Sequence, residues 1–291
     1  MKWHRNYVDL VNGYYEEKSK DGKAGNMYFE GDVLYSYGEH FPLAVRTAYD
    51  QYIINGDKYS SSTTNHQGIV FSAIPNDKRV EVPFSALGNA IGELRRRIDL
   101  DEVREVRIID YWKDEYIYTG RLNKHGYPIM EHKLGAALLD YKGRKLVSSI
   151  DPSGSGGGLY FLTELIDNEV DNLEDAFTSM MPDEVPVYCD YKRQGEWFFV
   201  PVDDLLDTVI SHASKDYYLK HSDKERESRH YATLGMEFQG RQFVQGVVKH
   251  SQGQHRQLKL YEIGVKPKDR MWYEAFESPQ KQSWGSVGNV D

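Results

Sequence analysis

The sequence predicts an α+β protein, with an N-terminal α/β unit of short hairpins and two helices and a β-rich C-terminal unit. Two apolar patterns of helical period occur in the first hundred residues, whereas strand-like runs dominate the later part. A glycine-rich stretch, "PSGSGGG" at 152–158, is predicted to be a linker or mobile loop between them. The predicted segments are therefore 1–151, 152–158, 159–277 and a flexible tail at 278–291.

The first region opens with strands predicted at 33–37 and 43–49. Asn55-Gly56 follows, and this dipeptide is a strong signal for a tight hairpin. The segment "SSSTTNHQGIVFSAI" then predicts a short helix, because several hydroxyl residues that can cap a helix precede an apolar face that begins at Ile69.

A second helix is predicted at 83–98, where apolar residues recur at helical spacing and three arginines lie near the end. Strands are predicted within "VREVRIIDYW" and "EYIYTG", and a hairpin is predicted around Lys142-Gly143. Beyond the glycine-rich stretch, "NLEDAFTSMMPDEV" predicts a capped helix from Asn172 to Pro182.

Strands dominate the third region. "VPVYCDY" and "EWFFVPV" flank a predicted basic turn at 192–195, and a helix is predicted at 203–212. A further hairpin is predicted to turn at Gln239-Gly240, with later strands in "LKLYEIG" and "WYEAFE". The residues from Ser278 onward lack apolar periodicity and are predicted to fray unless a partner holds them.

Composition limits the classes of function. The chain has 291 residues, 40% of them hydrophobic, and a net charge of −9, which disfavours nonspecific binding to phosphate backbones or anionic lipid. No apolar run is long enough to cross a bilayer, and the N-terminus lacks the apolar segment of a signal peptide, so the expected location is the cytoplasm. The 22 tyrosines offer apolar faces with polar tips, which suit macromolecular interfaces.

Polar and aromatic residues are crowded in two neighbouring stretches, "YSYGEHFPLA" and "NGDKYSSSTTNHQ". His40 and His66 are candidates for a general acid and base in metal-independent cleavage of nucleic acid, with Tyr59 or Thr64 orienting a substrate oxygen. In the alternative interpretation the hydroxyls cap the helix and both histidines are structural. No catalytic motif is spelled out, so an enzyme is the less expected class.

Three further histidines, His230, His250 and His255, fall within one hairpin-rich region. Three neutral imidazoles can hold zinc, but their spacing completes no recognised motif. Solvent-facing histidines near a strand end are the alternative. The sequence alone therefore predicts no metal and no other cofactor.

The stretch "YKRQGEWFF" places Lys192 and Arg193 beside Trp197 and Phe198. Cationic and aromatic side chains together predict a partner-binding surface, for single-stranded nucleic acid or for an acidic protein face. A plain hairpin with a basic turn explains the same residues.

Five stretches together resemble a poorly characterised family found in phages, plasmids and some prokaryotic genomes: "YSYGEHFPLA", "NGDKYSSSTTNHQ", "LYFLTEL", "VYCDYKRQGEWFFVPV" and "RHYATLG" with its continuation to "HRQLKL". The likeness spans 34–260, and "DPSGSGGG" departs from it in being richer in glycine. The family has no established activity, so the resemblance implies a habitat and not a mechanism.

That habitat implies an interaction protein that binds and occludes a macromolecular partner, for instance a counter-defence inhibitor of a host nuclease. A host or viral protein is the expected partner, with no membrane. Nucleic-acid binding, a nucleic-acid-cleaving activity at His40 and His66, and homo-oligomer formation are the alternatives.

Overall fold

The structure is a computed structural model in which the chain forms two compact units. The first unit comprises residues 1–150, 160–176 and 280–291, and the second comprises residues 151–159 and 177–279. The structure describes residues 1–16, 20–87, 105–151, 159–186, 188–203, 205, 207–223, 229–253, 255–279 and 282–285. The predicted α+β class is confirmed, with strands dominant.

A seven-stranded sheet lies at the centre of the first unit, and its strands neighbour one another in chain order. They are β1 Lys2–Trp3, β2 Asp21–Ala24, β3 Met27–Glu30, β4 Val33–Ser36, β5 Gly38–Arg46, β6 Tyr52–Asn55 and β7 Arg79–Val82. The β1–β2 and β6–β7 pairs are parallel and the others antiparallel. The two strands predicted near residues 33 and 43 are therefore confirmed as β4 and β5.

Both faces of this sheet are covered. Helices α1 Tyr7–Tyr15 and α2 Ser61–Ala73 pack on one face, where Leu34 and Ile54 point. Val33 and Ile53, one position earlier in each strand, point to the opposite face, as the two-residue period of a strand requires. That face packs on a second sheet whose strands, in the order β21-β13-β12-β11-β8, are β21 Gln282–Gly285, β13 Leu159–Glu164, β12 Arg144–Asp151, β11 Ala136–Tyr141 and β8 Val106–Trp112.

The hairpin predicted at Asn55-Gly56 is wrong. The chain passes from β6 into α2 and returns as β7 parallel to β6, and a parallel pair needs such a crossover. The Asn55 side chain accepts a hydrogen bond from the Asp57 amide at 2.9 Å and donates to the Pro42 carbonyl at 3.2 Å. A Cβ at position 56 would lie 2.6 Å from the Tyr160 ring, so this glycine permits close packing rather than a tight turn.

Helix α2 confirms the predicted cap. The Ser60 hydroxyl accepts from the Thr63 amide at 3.3 Å, and the Thr63 hydroxyl accepts from the Ser60 amide at 2.8 Å. The helix predicted at 83–98 is described only as far as residue 87, with a 3₁₀ turn at Phe84–Ala86, and the rest lies outside the described residues. The predicted linker at 152–158 also lies outside them.

Two further features of the first unit bear on the predictions. The hairpin at Lys142-Gly143 is confirmed between β11 and β12, with φ of 52° and 80° at the two turn residues. Within the segment predicted to be a flexible tail, Gln282–Gly285 pairs with β13 as β21. The edge of β13 supplies backbone hydrogen-bond partners, which an apolar pattern within the tail cannot predict.

A small separate sheet contains only β9 Glu115–Leu122 and β10 Pro128–Lys133, and every residue of both strands is exposed. Helix α3 Leu173–Ser179 follows Asn172, whose side chain accepts from the Asp175 amide at 2.9 Å, so the predicted helix and cap are confirmed. No helix among the described residues is long and apolar enough to span a membrane.

The second unit is built on an antiparallel sheet with the order β14-β15-β20-β18-β17-β16, and β19 pairs with β18. Its strands are β14 Lys192–Gln194, β15 Trp197–Val202, β16 Ser214–Tyr218, β17 His230–Phe238, β18 Arg241–His250, β19 Leu258–Lys259 and β20 Trp272–Glu277, with a short helix α4 Asp207–Ile210. The hairpin at Gln239-Gly240 is confirmed. The predicted basic turn is shifted, because Lys192 and Arg193 lie in β14 and the turn is Gly195-Glu196.

Candidate metal centre

The sheet of the second unit brings three histidines together. His230 is the first residue of β17 and His250 is the last residue of β18, and the strand register pairs them directly. His255 follows a turn that contains Gly253, whose φ of +68° suits glycine. All three histidines that the sequence singled out as candidate ligands therefore converge at one point.

The three imidazole rings form a nearly equilateral triangle. Ring centroids are 4.8 Å apart for His230 and His250, 5.3 Å for His230 and His255, and 5.2 Å for His250 and His255. One ligand nitrogen from each ring lies within 4.8 Å of the other two. With Zn–N bonds of about 2.0–2.1 Å and tetrahedral angles, the centroids of three imidazole ligands lie roughly 5 Å apart. The ring centroids thus have the spacing of a three-histidine metal centre, and the ligand nitrogens, which lie within 4.8 Å of one another, would close to roughly 3.3 Å around a bound ion.

Burial sets the protonation state of two of the rings. Only 2% of His230 and 8% of His250 is exposed. Burial, reinforced by the neighbouring His250, His255 and His221, lowers the pKa of His230 to about 3. Burial, with smaller contributions from His255 and Arg229, lowers the pKa of His250 to about 4. Both rings are neutral at neutral pH, which is the form that binds a metal ion.

Carboxylates lie behind two of the rings. Oε1 of Glu196 is 3.7 Å from Nδ1 of His230, and Oδ2 of Asp151 is 3.4 Å from Nδ1 of His255. Both distances are longer than an ordinary hydrogen bond. Histidine ligands commonly direct the nitrogen that does not bind the metal towards a carboxylate, which fixes the ring. With Nδ1 of His230 and His255 on the carboxylate side, Nε2 is the nitrogen of each ring that would bind a metal ion.

His250 engages its second nitrogen differently. Its Nδ1 accepts a hydrogen bond of 3.3 Å from the backbone amide of Gln252, which puts the proton of the neutral ring on Nε2. Metal binding at Nε2 needs the other tautomer, and binding at Nδ1 displaces the amide. Either change breaks one long hydrogen bond, and the free energy lost is small compared with that of forming a zinc–imidazole bond.

A fourth histidine, His221, extends the cluster on the side of Glu196. Its Nε2 is 3.8 Å from Oε1 of Glu196, and its Nδ1 is 2.7 Å from Oε1 of Glu277. Burial alone would raise the pKa of Glu277, but hydrogen bonds from His221 and Ser222 outweigh it and lower that pKa to about 2. Glu277 is therefore ionised at neutral pH and fixes the orientation of His221 towards Glu196.

Sequence reasoning missed Glu196, Asp151 and His221. Glu196 stands in the stretch "KRQGEWFF", but a glutamate at the start of a predicted strand carries no signal of a site. Its role follows only from the position of the β14–β15 turn beside the ends of β17 and β18: a Cβ at Gly195 would lie 3.6 Å from Nε2 of His230. That neighbourhood is a property of the sheet order and not of any local spacing.

The predicted partner-binding stretch lies mostly inside the second unit. Trp197 is 1% and Phe198 2% exposed, so the rings that the prediction needs on the surface are core residues. Arg193 stacks over Phe198, with 5.1 Å from its guanidinium carbon to the ring centroid, and burial lowers its pKa. Lys192 donates to the Lys259 carbonyl at 3.1 Å. The expectation of exposed aromatic rings is corrected, because consecutive apolar residues in β15 bury both faces of that strand.

His66, one of the predicted catalytic pair, is a buried residue of the first unit. Its Nδ1 is 2.8 Å from the Ser36 hydroxyl, and burial lowers its pKa. Tyr37 stacks on the ring at 5.8 Å, and Tyr7 meets it edge-on at 4.5 Å. Tyr37 has a φ of 64°, which is unusual for a bulky residue, and its amide donates to the Asn26 carbonyl at 2.7 Å.

Two of the other predicted catalytic residues line a shallow cavity of about 190 Å³. His40 and Tyr59 line it, whereas Thr64 lies in the first turn of α2, where its amide donates to the Ser60 carbonyl at 2.8 Å. His66 is not among the residues that line this cavity. A general acid and a general base must both reach one substrate, and this cavity is lined by His40 but not by His66. Metal-independent cleavage by His40 and His66 stays a prediction.

Comparison of the chain with models of protein families, with curated proteins and with solved structures finds no match. The likeness to a mobile-element family therefore stays a prediction from the sequence. Among the residues that the structure describes, the three-histidine cluster is the group with the spacing of a metal site.

Proposed function

We propose that this protein binds one divalent transition-metal ion through His230, His250 and His255. The observation that carries the proposal is the triangle of three imidazoles with ligand nitrogens within 4.8 Å of one another. Imidazole suits Zn²⁺, Co²⁺, Ni²⁺ and Cu²⁺, whereas Mg²⁺ and Ca²⁺ prefer oxygen ligands. The proposal departs from the expectation, drawn from the sequence alone, that no metal is bound.

Protein produced without a histidine tag should retain about one equivalent of zinc after dialysis against metal-free buffer, and no magnesium or calcium. Adding Zn²⁺ to the stripped protein at a hundredfold excess over Kd should raise the free energy of unfolding by about 2.7 kcal/mol, because the unfolded chain lacks the site. Elemental analysis and urea unfolding measure the two effects. Zinc far below one equivalent, and equally low in a His250→Ala variant, would contradict the proposal.

A second candidate function, binding of a protein partner, is supported by the exposed hairpin of β9 and β10. The register places Tyr116 opposite His132 and Tyr118 opposite Met130, so these four side chains share one face, here called the tyrosine face. Tyr116 is 67%, Tyr118 50% and Met130 48% exposed. A two-stranded hairpin is marginally stable alone, and an exposed apolar face on it suits a partner surface.

The composition of the tyrosine face favours a protein over nucleic acid. It carries aromatic rings and a methionine, which are enriched at protein interfaces, and it has no lysine or arginine to contact phosphate. The pairs Glu115 with Lys133 and Ile117 with Glu131 lie on the opposite face, which therefore carries the charged side chains Glu115, Lys133 and Glu131. Occlusion of a macromolecular partner, the function expected from the sequence, is therefore proposed for this surface rather than for Trp197 and Phe198.

Tyr118→Asp should weaken binding of such a partner about thirtyfold, the effect of losing an interface residue worth about 2 kcal/mol. Ile117→Asp, on the opposite face of the same strand, is the matched control and should change binding little. The partner is isolated from the native host, identified by mass spectrometry and titrated as a purified protein. Equal effects of the two substitutions would exclude the tyrosine face, and a partner that proves to be nucleic acid would exclude this second function.

A further inference from the structure

The Nε2 atoms of His230 and His255 lie near the same glycine. A Cβ added at Gly195 would lie 3.5 Å from Nε2 of His255 and 3.6 Å from Nε2 of His230. The Nδ1 atoms of the same rings face Asp151 and Glu196. An ion held between the two Nε2 atoms therefore has the backbone of Gly195 beside it and both carboxylates on the far sides of the rings.

Three histidines leave a tetrahedral ion one ligand short. Zinc in proteins is almost always four-coordinate, and sites with three protein ligands keep the fourth position for water or substrate. Among the residues that the structure describes, the cluster at ligand distance contains the three histidines and no thiolate or carboxylate. Glu196 and Asp151 lie on the Nδ1 sides of His230 and His255.

We infer, resting on the proposed metal binding, that the fourth coordination position faces Gly195 and takes an exchangeable ligand from solution. Its ligands are water, a small anion, or the carboxylate or phosphate oxygen of a larger molecule. Glycine leaves this position least crowded, since even a Cβ at residue 195 would be in van der Waals contact with both Nε2 atoms. The centre is then of the type that binds and polarises a ligand rather than a closed structural site.

Cobalt substitution tests the inference, because the visible absorption of bound Co²⁺ reports the ligands of the ion. Stripped protein is loaded with one equivalent of Co²⁺ and titrated with sodium azide and, separately, with sodium thiocyanate. Both anions should produce saturable spectral changes that reverse on dialysis. Zinc-loaded protein titrated in parallel by calorimetry should show binding with the same order of affinity for the two anions.

Gly195→Ala should retain Co²⁺ but bind azide about tenfold or more weakly, because the new methyl group crowds the ligand. Alanine is also strained at this position, where φ is +58°, so the matched control is Gly240→Ala. Gly240 has a φ of +76°, and a Cβ there meets nothing within 4 Å. Gly195→Asn serves as a second variant, since asparagine tolerates left-handed φ better than alanine.

Each outcome decides between the two proposals. Failure of the unsubstituted protein to bind Co²⁺ would overturn the metal centre and the inference together. Stoichiometric Co²⁺ with a spectrum that neither anion changes would overturn the exchangeable position and leave metal binding standing. Anion binding that Gly195→Ala and Gly195→Asn weaken no more than Gly240→Ala would show that the position does not face Gly195.

Discussion

Trp197→Ala is expected to lower the free energy of unfolding by about 3 to 5 kcal/mol. The indole is 1% exposed and packs in the core of the second unit with Phe199, Val244 and Tyr273, and its ring centroid lies 5.3 Å from that of His221. Removing it leaves a large cavity that the sheet can close only in part. The sequence alone predicts instead a surface residue whose removal weakens a complex.

Urea unfolding followed by circular dichroism measures this effect, with Tyr188→Ala as the matched control. Tyr188 belongs to the same unit and is 99% exposed, so its loss should change stability by less than about 0.5 kcal/mol. Trp197→Phe should cost less than Trp197→Ala, because most of the ring contact remains. If Trp197→Ala unfolds at the same urea concentration as the control yet weakens a complex, the ring belongs to an interface after all.

His255→Ala is expected to weaken zinc binding about a hundred- to thousandfold. Structural zinc sites with four ligands bind with about 10–16 kcal/mol, so one ligand accounts for roughly 2.5–4 kcal/mol. His255 is the best ligand for this test because its side chain is 12% exposed and lies in a connection, so that its loss disturbs the core least. Competition with a chromogenic chelator measures the change in Kd.

Two further substitutions provide comparisons for the zinc affinity of His255→Ala. Glu196→Gln keeps all three ligands but removes the charge behind His230, and such a change typically lowers metal affinity about 10–100-fold. His212→Ala removes an exposed histidine outside the cluster and should leave Kd unchanged. Equal loss of affinity in all three variants would mean that zinc binds adventitiously to surface histidines, and no loss in His255→Ala would exclude this residue as a ligand.

Predictions that depend on neighbours in the chain agree with the structure. The cap of α2 needs only Ser60 and Thr63, three residues apart, and the hairpins at Lys142-Gly143 and Gln239-Gly240 need only residues that accept positive φ. Asn55-Gly56 has the same local signal and forms no hairpin, because pairing of β6 with β7 places a helix between the two strands. The local preference of Asn-Gly for a tight turn is weaker than the packing of the whole sheet, which determines the conformation here.

The aromatic run of β15 shows a second limit of prediction from the sequence. Four consecutive apolar residues, Trp197 to Val200, do not alternate with polar ones, so the pattern does not distinguish a strand buried on both faces from an exposed aromatic surface. Burial was decided by tertiary packing: Trp197 and Phe199 lie in the core of the second unit, and Phe198 on the opposite face is covered by Tyr191 and Arg193.

The sequence by itself determined that three histidines stand near a hairpin turned at Gln239-Gly240, because turn chemistry is local. Next to the turn, Phe238 of β17 pairs with Arg241 of β18. If this register continued unchanged along the two strands, His230 would lie opposite Lys249. A bulge between Ala232 and Leu234 shifts the register by one residue and sets His230 opposite His250. Since a shift of one residue moves a side chain to the other face of a strand, the tertiary structure alone decided that the imidazoles meet.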